Sequence, residues 1–172
     1  KSEIDIRIKY SEQFSNFSPP QWVGLKFFNV YGPNEYHKGA MTSVVCKAIK
    51  DILSKKPMTL FKSHDVNYSD GEQMRDFIYV DDCIKVIIWL MENNNVSGIY
   101  NCGTGNARTF NDLSSSIFSS LQIKPEIRFI DTPANIRSKY QYKTEANMNS
   151  LIQAGYSNDF LSIEDGVAKY LD

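Results

Sequence analysis

Phe27-Phe28-Asn29-Val30-Tyr31-Gly32-Pro33-Asn34-Glu35-Tyr36-His37-Lys38-Gly39 joins an apolar run to a polar loop, and the fold turns on how that junction is read. Upstream, Trp22-Val23-Gly24-Leu25-Lys26-Phe27-Phe28 is short, mostly apolar and bounded by Ser18-Pro19-Pro20 and Gly32-Pro33, which predicts a central parallel strand. Beyond it an amide (Asn29), a phenol (Tyr31), a carboxylate (Glu35), an imidazole (His37) and an amine (Lys38) fall within a few residues. Ligands of open α/β sheets bind where strands end, so this loop is the first candidate site. A plain strand-to-helix connection is also polar and rich in Pro and Gly, and the residues alone leave both readings open.

The remaining periodicities alternate between helix and strand. Val44, Val45, Ala48, Ile49, Ile52 and Leu53 recur at helical spacing within Met41 to Lys55, and Pro57 stops that helix before a short strand at Met58-Thr59-Leu60-Phe61. A polar loop from Lys62 to Met74 leads to a strand at Asp76-Phe77-Ile78-Tyr79 and a helix from Val80 to Glu92, with Ile84, Ile87, Ile88 and Met91 expected on its inner face. Gly98-Ile99-Tyr100-Asn101 predicts the next buried strand. A helix is expected from an N-cap at Asn111 to about Gln122, then a strand over Pro125 to Ile130, and Ser162-Ile163-Glu164-Asp165 opens the last helix with a cap and early acids.

Composition excludes more than it selects. At 172 residues, 42% hydrophobic and 13% aromatic, the chain can bury one good core, shared between two lobes. Nineteen Lys and Arg against twenty Asp and Glu leave a formal net charge of −1, which provides no basic field for nucleic acid and no basic amphipathic helix for a membrane surface. The longest apolar stretch, Val86 to Met91, is far too short to span a bilayer. Cys46, Cys83 and Cys102 form no Cys-x-x-Cys pair, so no zinc site or disulfide framework is indicated and a reducing cytoplasm is the simpler setting. With His37 and His64 the only histidines, a His-rich metal site is not expected, and the paired Asp81-Asp82 sit at a helix start that favours acids anyway.

The run from Phe27 to Pro33 closely resembles the Phe-Asn-Val-Tyr-Gly-Pro motif of the extended short-chain dehydrogenases/reductases, the NAD-dependent epimerase/dehydratase family. His37-Lys38-Gly39 resembles its ADP-L-glycero-D-manno-heptose 6-epimerase branch. Phe61-Lys62-Ser63-His64, Gly71 to Asp82, Gly98 to Gly105 and Lys139-Tyr140-Gln141 recur in the family's order, so the resemblance covers nearly the whole chain. It implies the C-terminal part of a doubly wound Rossmann-like fold plus a small α/β substrate lobe. Residues 1–30 and 76–103 would finish the nucleotide-binding sheet, and 31–75 and 104–172 would build the substrate lobe.

The activity implied is inversion of a sugar carbon in a nucleotide-activated heptose through transient oxidation, with NADP, or NAD, as the hydride carrier. Lys38 would be the second acid/base. Asn29 would touch the sugar, the backbone of Val30 the nicotinamide, and Phe61, Lys62, Ser63 and His64 the nucleotide. Arg75 would reach the diphosphate, since a planar guanidinium gives paired bonds to phosphate oxygens. Tyr140 would bond the phosphate or sugar. Lys38 is also counted with the cofactor. Ala40 stands where the family often has a substrate-contacting Ser and Lys47 where it commonly has a His, so Ala40 is not counted as a side-chain ligand and Lys47 takes a substrate role only by position. Bland readings stay open for Arg75, as a surface ion pair with Asp76, and for Tyr140, as a half-buried core phenol. The intact protein is expected to be a homo-oligomer in the cytoplasm, with no nucleic acid or membrane partner.

Two features suggest that part of the enzyme lies elsewhere. A dinucleotide needs a Gly-rich strand-to-helix turn, and the one candidate, Gly103-Thr104-Gly105-Asn106-Ala107-Arg108, has Arg at its last position and no immediate helix, so Gly103 and Gly105 are read as turn glycines. The chain also starts at Lys1 without Met and runs into Ser2 to Ile8 with no helix cap. The resemblance places Lys1 at about the distance of the lysine in the family's catalytic Tyr-x-x-x-Lys pair, which would make it both catalytic and cofactor-binding; a solvated helix-end lysine is the other reading. The expectation is a C-terminal portion that is inactive by itself. Another nucleotide-sugar epimerase or dehydratase, acting on a UDP or GDP sugar, and a non-catalytic sugar-nucleotide binding module are the alternatives.

Overall fold

The computed structural model describes residues 19–172, and the expectation for Lys1 lies outside them. In chain order the described elements begin with β1 (Val23–Phe27), β2 (Asn29–Tyr31), a short 3₁₀ segment (Tyr36–Met41), α1 (Val44–Leu53), β3 (Met58–Phe61), β4 (Met74–Arg75), β5 (Phe77–Tyr79) and α2 (Val80–Glu92). They continue with β6 (Gly98–Cys102), β7 (Arg108–Thr109), α3 (Phe110–Ser120), β8 (Ile127–Ile130), α4 (Ala134–Arg137), β9 (Lys143–Thr144), α5 (Asn149–Gln153) and α6 (Ile163–Leu171).

The expected central strand is present, in two pieces with different partners. β1 runs parallel to β6, with Phe27 opposite Cys102, whereas β2 runs parallel to β5, with Asn29 opposite Phe77. The exchange happens between adjacent amides: Phe28 N–H donates to the Cys102 carbonyl and Asn29 N–H to the Asp76 carbonyl, both at 3.0 Å. Asn29 therefore stands where two strand ladders part. β3 and β8 form a separate parallel pair, and β4 lies between antiparallel β7 and parallel β9.

Two apolar clusters hold these elements. One gathers Tyr31, Val45, Ile49, Met58, Leu60, Leu113, Ile117 and Val167, and the other gathers Val86, Leu90, Cys102, Met148, Leu151 and Tyr156. β5 is the wall between them: Phe77 and Tyr79 belong to the first cluster and Ile78 to the second, as the alternation of a strand requires.

Two local expectations are corrected. On α2 the buried apolar residues are Cys83, Val86 and Leu90, while Ile84, Ile87, Ile88 and Met91 are 46%, 38%, 49% and 73% exposed. The helix is apolar around most of its circumference, so helical periodicity cannot choose between its stripes. On α3 the cap is Thr109, not Asn111: the Thr109 hydroxyl accepts from Asp112 N–H at 2.9 Å and the Asp112 carboxylate accepts from Thr109 N–H at 3.0 Å. That reciprocal box satisfies two end donors where a lone Asn would satisfy one. Asn111 instead donates to Glu72 Oε1 at 2.7 Å and to the Asp70 carbonyl at 3.1 Å, holding the preceding loop. The Ser162 cap is as expected, its hydroxyl accepting from Asp165 N–H at 3.0 Å.

Candidate functional site

Lys38 sits in the 3₁₀ segment that follows β2, on an exposed stretch. Its N–H donates to the Glu35 carbonyl at 3.1 Å, and its ammonium has no partner among the described residues. The chain reverses at the next residue, Gly39, at φ 54° and ψ −119°, a backbone state that L side chains rarely adopt. The Lys47 ammonium, one helical turn into α1, donates to the Ala40 carbonyl at 2.7 Å and ties the loop to the helix.

Lys47 also lines a cavity of about 340 Å³ between α1 and β3, together with Phe61, Gln73, Phe110 and Tyr140. Three of the expected residues, Lys47, Phe61 and Tyr140, thus meet in one place. The Phe61 and Tyr140 rings pack edge to face at 6.1 Å, and Tyr140 packs on Tyr142 at 5.5 Å. Arg75, on β4, lies over the Tyr140 ring at 5.1 Å and the Phe110 ring at 5.8 Å, with one guanidinium N–H on the Met74 carbonyl. Burial pulls the Arg75 guanidinium below its ordinary value while the Tyr140 phenol opposes the shift, and burial raises the Tyr140 phenol while Arg75 opposes it. An arginine stays charged under such shifts.

The ion-pair alternative for Arg75 fails because Asp76 is used elsewhere. The fully buried Asp76 carboxylate accepts from Thr104 N–H and Thr104 hydroxyl, each at 2.7 Å, from Gly105 N–H at 2.9 Å and from Ala146 N–H at 3.0 Å. Arg75 has no carboxylate partner among the described residues. The same contacts show what Gly103 and Gly105 do. A Cβ on Gly103 would come within 2.7 Å of Asp76 Oδ2 and 2.6 Å of the Ala146 Cβ, so the turn wraps an internal carboxylate and offers no pyrophosphate cradle.

The segment after β3 is placed differently from Arg75. The N–H groups of Ser63 and His64 are already bonded, to Asp70 Oδ1 and the Tyr142 hydroxyl, each at 2.7 Å, and Lys62 lies 3.5 Å from Asp131. What this segment presents at the cavity is the Phe61 ring. Asn29, Val30 and Lys38 stand at the strand end and do not line the cavity. Sequence reading missed Phe110 and Tyr142. The alternation of Tyr140-Gln141-Tyr142 carried the signal for the second ring; nothing marked Phe110, which reaches the site through the β4–β7 pairing. A larger cavity, about 820 Å³, includes Thr104, Asn106, Arg108 and Ser162 in its wall and none of the expected residues. Its cation is spent, since Arg108 pairs with Glu164 at 2.7 Å and Asp112 at 3.2 Å. No group of His, Cys, Asp and Glu among the described residues could hold a metal ion, and all three cysteines are free and buried.

A model of the NAD dependent epimerase/dehydratase family matches residues 8–103. The chain belongs to that family. It is 53% identical over 149 residues to the ADP-L-glycero-D-manno-heptose-6-epimerase of Nitratidesulfovibrio vulgaris strain DP4, an alignment covering 87% of this chain and 46% of the relative. It is 43% identical over 159 residues to the protein of the same name from Fusobacterium nucleatum, covering 89% of this chain and 48% of that one. The crystal structure of Helicobacter pylori ADP-L-glycero-D-manno-heptose-6-epimerase superposes with a TM-score of 0.76 at 29% identity, over 95% of this chain and 46% of that chain. The chain spans about half the length of the curated relatives it matches. Membership of the NAD dependent epimerase/dehydratase family bears out the Rossmann-like α/β fold and the resemblance read from the stretch Phe27 to Gly39.

Proposed function

We propose that this chain forms the substrate side of an enzyme that inverts carbon 6 of an ADP-activated heptose, converting the D-glycero- to the L-glycero-D-manno form for lipopolysaccharide core precursors. The observation that carries the reading is Arg75, a cation stacked on Tyr140 and Phe110 with no carboxylate partner among the described residues, beside a cavity walled by Phe61 and Tyr140. Such a cation suits a diphosphate, and the rings suit a nucleoside. The names of the relatives supply the sugar.

In this reading Asn29 orients the sugar and Lys38 gives and takes the proton of the carbon 6 hydroxyl, a role open to an amine held near a strand end. Inverting a carbon with no adjacent carbonyl needs oxidation and re-reduction, and a nicotinamide, NADP in this reading, supplies the hydride exchange when bound. In this reading the Val30 backbone and Lys38 would meet its nicotinamide end, while the Gly103–Gly105 turn, filled by Asp76, would give its pyrophosphate no cradle. Residues 76–103, with the described part of 1–30, would belong to the cofactor lobe, and 31–75 and 104–172 to the substrate lobe. We place the enzyme in the cytoplasm as a homo-oligomer; three free cysteines suit a reducing compartment, and no described helix is long and apolar enough to cross a membrane.

The test is turnover of ADP-D-glycero-D-manno-heptose by the full-length protein with NADP, beside UDP-glucose and GDP-mannose. Epimerisation of the ADP-heptose alone is the expected result. Turnover of a UDP or GDP sugar in its place would move the protein to another branch of the family.

A further inference from the structure

The loop that carries Lys38 is clasped by a carboxylate to which the proposed reaction gives no part. Glu35 is 3% exposed, and a glutamate is almost never that buried unless it is paired. Both its oxygens go to one residue: Oε2 accepts the Ser43 N–H at 2.6 Å and Oε1 accepts the Ser43 hydroxyl at 2.5 Å. Ser43 is in turn the N-cap of α1, its hydroxyl oxygen accepting from Cys46 N–H at 3.1 Å. A loop of seven residues, 36–42, is therefore closed at its two ends by a charge-assisted pair of bonds anchored on a helix.

The loop needs such a closure. Its turn at Gly39 has φ 54° and ψ −119°, and a sparsely populated backbone state persists only where its surroundings over-determine it. Within the loop, Lys38 N–H donates to the Glu35 carbonyl at 3.1 Å and Thr42 N–H and hydroxyl to the Gly39 carbonyl; the one other tether to α1, Lys47 to the Ala40 carbonyl at 2.7 Å, holds the loop by a single bond where Glu35 makes two. Lys38 itself is exposed and has no side-chain partner among the described residues, so its position is set by the backbone beneath it.

We propose that Glu35 is a positioning residue for Lys38, holding the 36–42 loop so that the ammonium is presented to the reacting hydroxyl. This rests on the reading above, in which Lys38 moves that proton. Glu35 acts through the loop and touches no ligand; the nucleotide cavity is lined by Val44, Lys47 and Phe61 but not by Glu35. Losing the clasp should lower turnover and leave nucleotide binding alone.

A double-mutant cycle separates positioning from general support. In the full-length protein, ADP-heptose turnover and ADP binding are measured for wild type, Glu35→Gln, Lys38→Met and the double variant. The expected result is a loss of at least tenfold in kcat from Glu35→Gln in wild type, less than twofold from the same change in Lys38→Met, and unchanged ADP affinity. Equal losses in the two backgrounds, or no loss in wild type, would overturn the proposal. Should Glu35→Gln fail to fold, Glu35→Asp keeps the charge but shortens the arm that reaches Ser43 and leaves the Ser43 cap of α1 in place, and the same cycle applies with the same outcomes. Normal turnover by Lys38→Met would instead sink the parent reading, and this inference with it.

Discussion

The Arg75 guanidinium, on β4, lies 5.1 Å from the centre of the Tyr140 ring, which stands in the irregular stretch between α4 and β9, far away in sequence. It presents a cation whose charge no described carboxylate neutralises. Arg75→Ala should weaken ADP-heptose and ADP by about ten- to a hundredfold, the worth of a charge-assisted bond of about 1.5–3 kcal/mol. Arg75→Lys should recover little of it, since an ammonium neither stacks nor bonds in pairs. Calorimetric titration of ADP beside NADP checks the point; equal losses for both would indicate general destabilisation.

Lys38 has the opposite character, an exposed side chain without a protein partner. Lys38→Met keeps the aliphatic stem and removes the proton carrier. Epimerisation should fall by roughly 10²–10⁴-fold, the usual contribution of a positioned acid or base, with NADP binding and melting temperature nearly unchanged. Near-normal turnover would return Lys38 to the role of a solvated loop lysine.

Asp76 should matter to stability more than any residue of the cavity. Asp76→Ala strips the partner from three backbone N–H groups and one hydroxyl, and each buried donor left bare costs about 1–3 kcal/mol. A loss on the order of 3 kcal/mol or more is expected in urea unfolding. Thr104→Val, which removes one donor of the four, should cost about 1 kcal/mol. Similar small losses from both changes would show that the carboxylate is not the organising group.

The Arg108–Glu164 pair gives a pH signature. The Arg108 guanidinium holds the Glu164 carboxyl below the usual range; for Asp112 burial pushes the other way but is outweighed by Arg108 and the Thr109 donors. A depressed folded value means the pair stabilises fully above the unfolded carboxylate value, about 4.3, and the contribution is lost as pH falls through the folded one. Glu164 is 53% exposed, so the contribution is screened, below about 1 kcal/mol. Glu164→Gln should lower the melting temperature slightly at pH 7, and the difference should shrink progressively as the pH falls below the unfolded carboxylate value. A loss that does not change with pH across the acid range would assign the effect to packing.

Much of this was legible from residue order. The strand at Val23–Phe27, the helix Val80–Glu92 and the Ser162 cap follow from patterns that act locally. The corrections come where the deciding partner is distant. Thr109 caps α3 through a reciprocal bond with Asp112 while Asn111 is drawn to Glu72, and nothing in the order of residues ranks one cap above its neighbour. The same holds for the site. Tyr140 and Phe61 could be named from resemblance, but that Arg75 stacks on Phe110 depends on β4 pairing with β7. Glu35 looked like one more ligand group and is a clasp, a distinction that only the Ser43 contact makes.

β5 is three residues long and supplies side chains to both cores, Phe77 and Tyr79 to one and Ile78 to the other. Neither core can come apart without taking a face of the other's wall with it. The two cores are therefore one cooperative unit, and damage to either is felt by both: trimming Ile78, on the side away from the cavity lined by Phe61 and Tyr140, should loosen α1, which Ser43 caps, as much as α2, and a denaturation curve followed by any probe should show a single step.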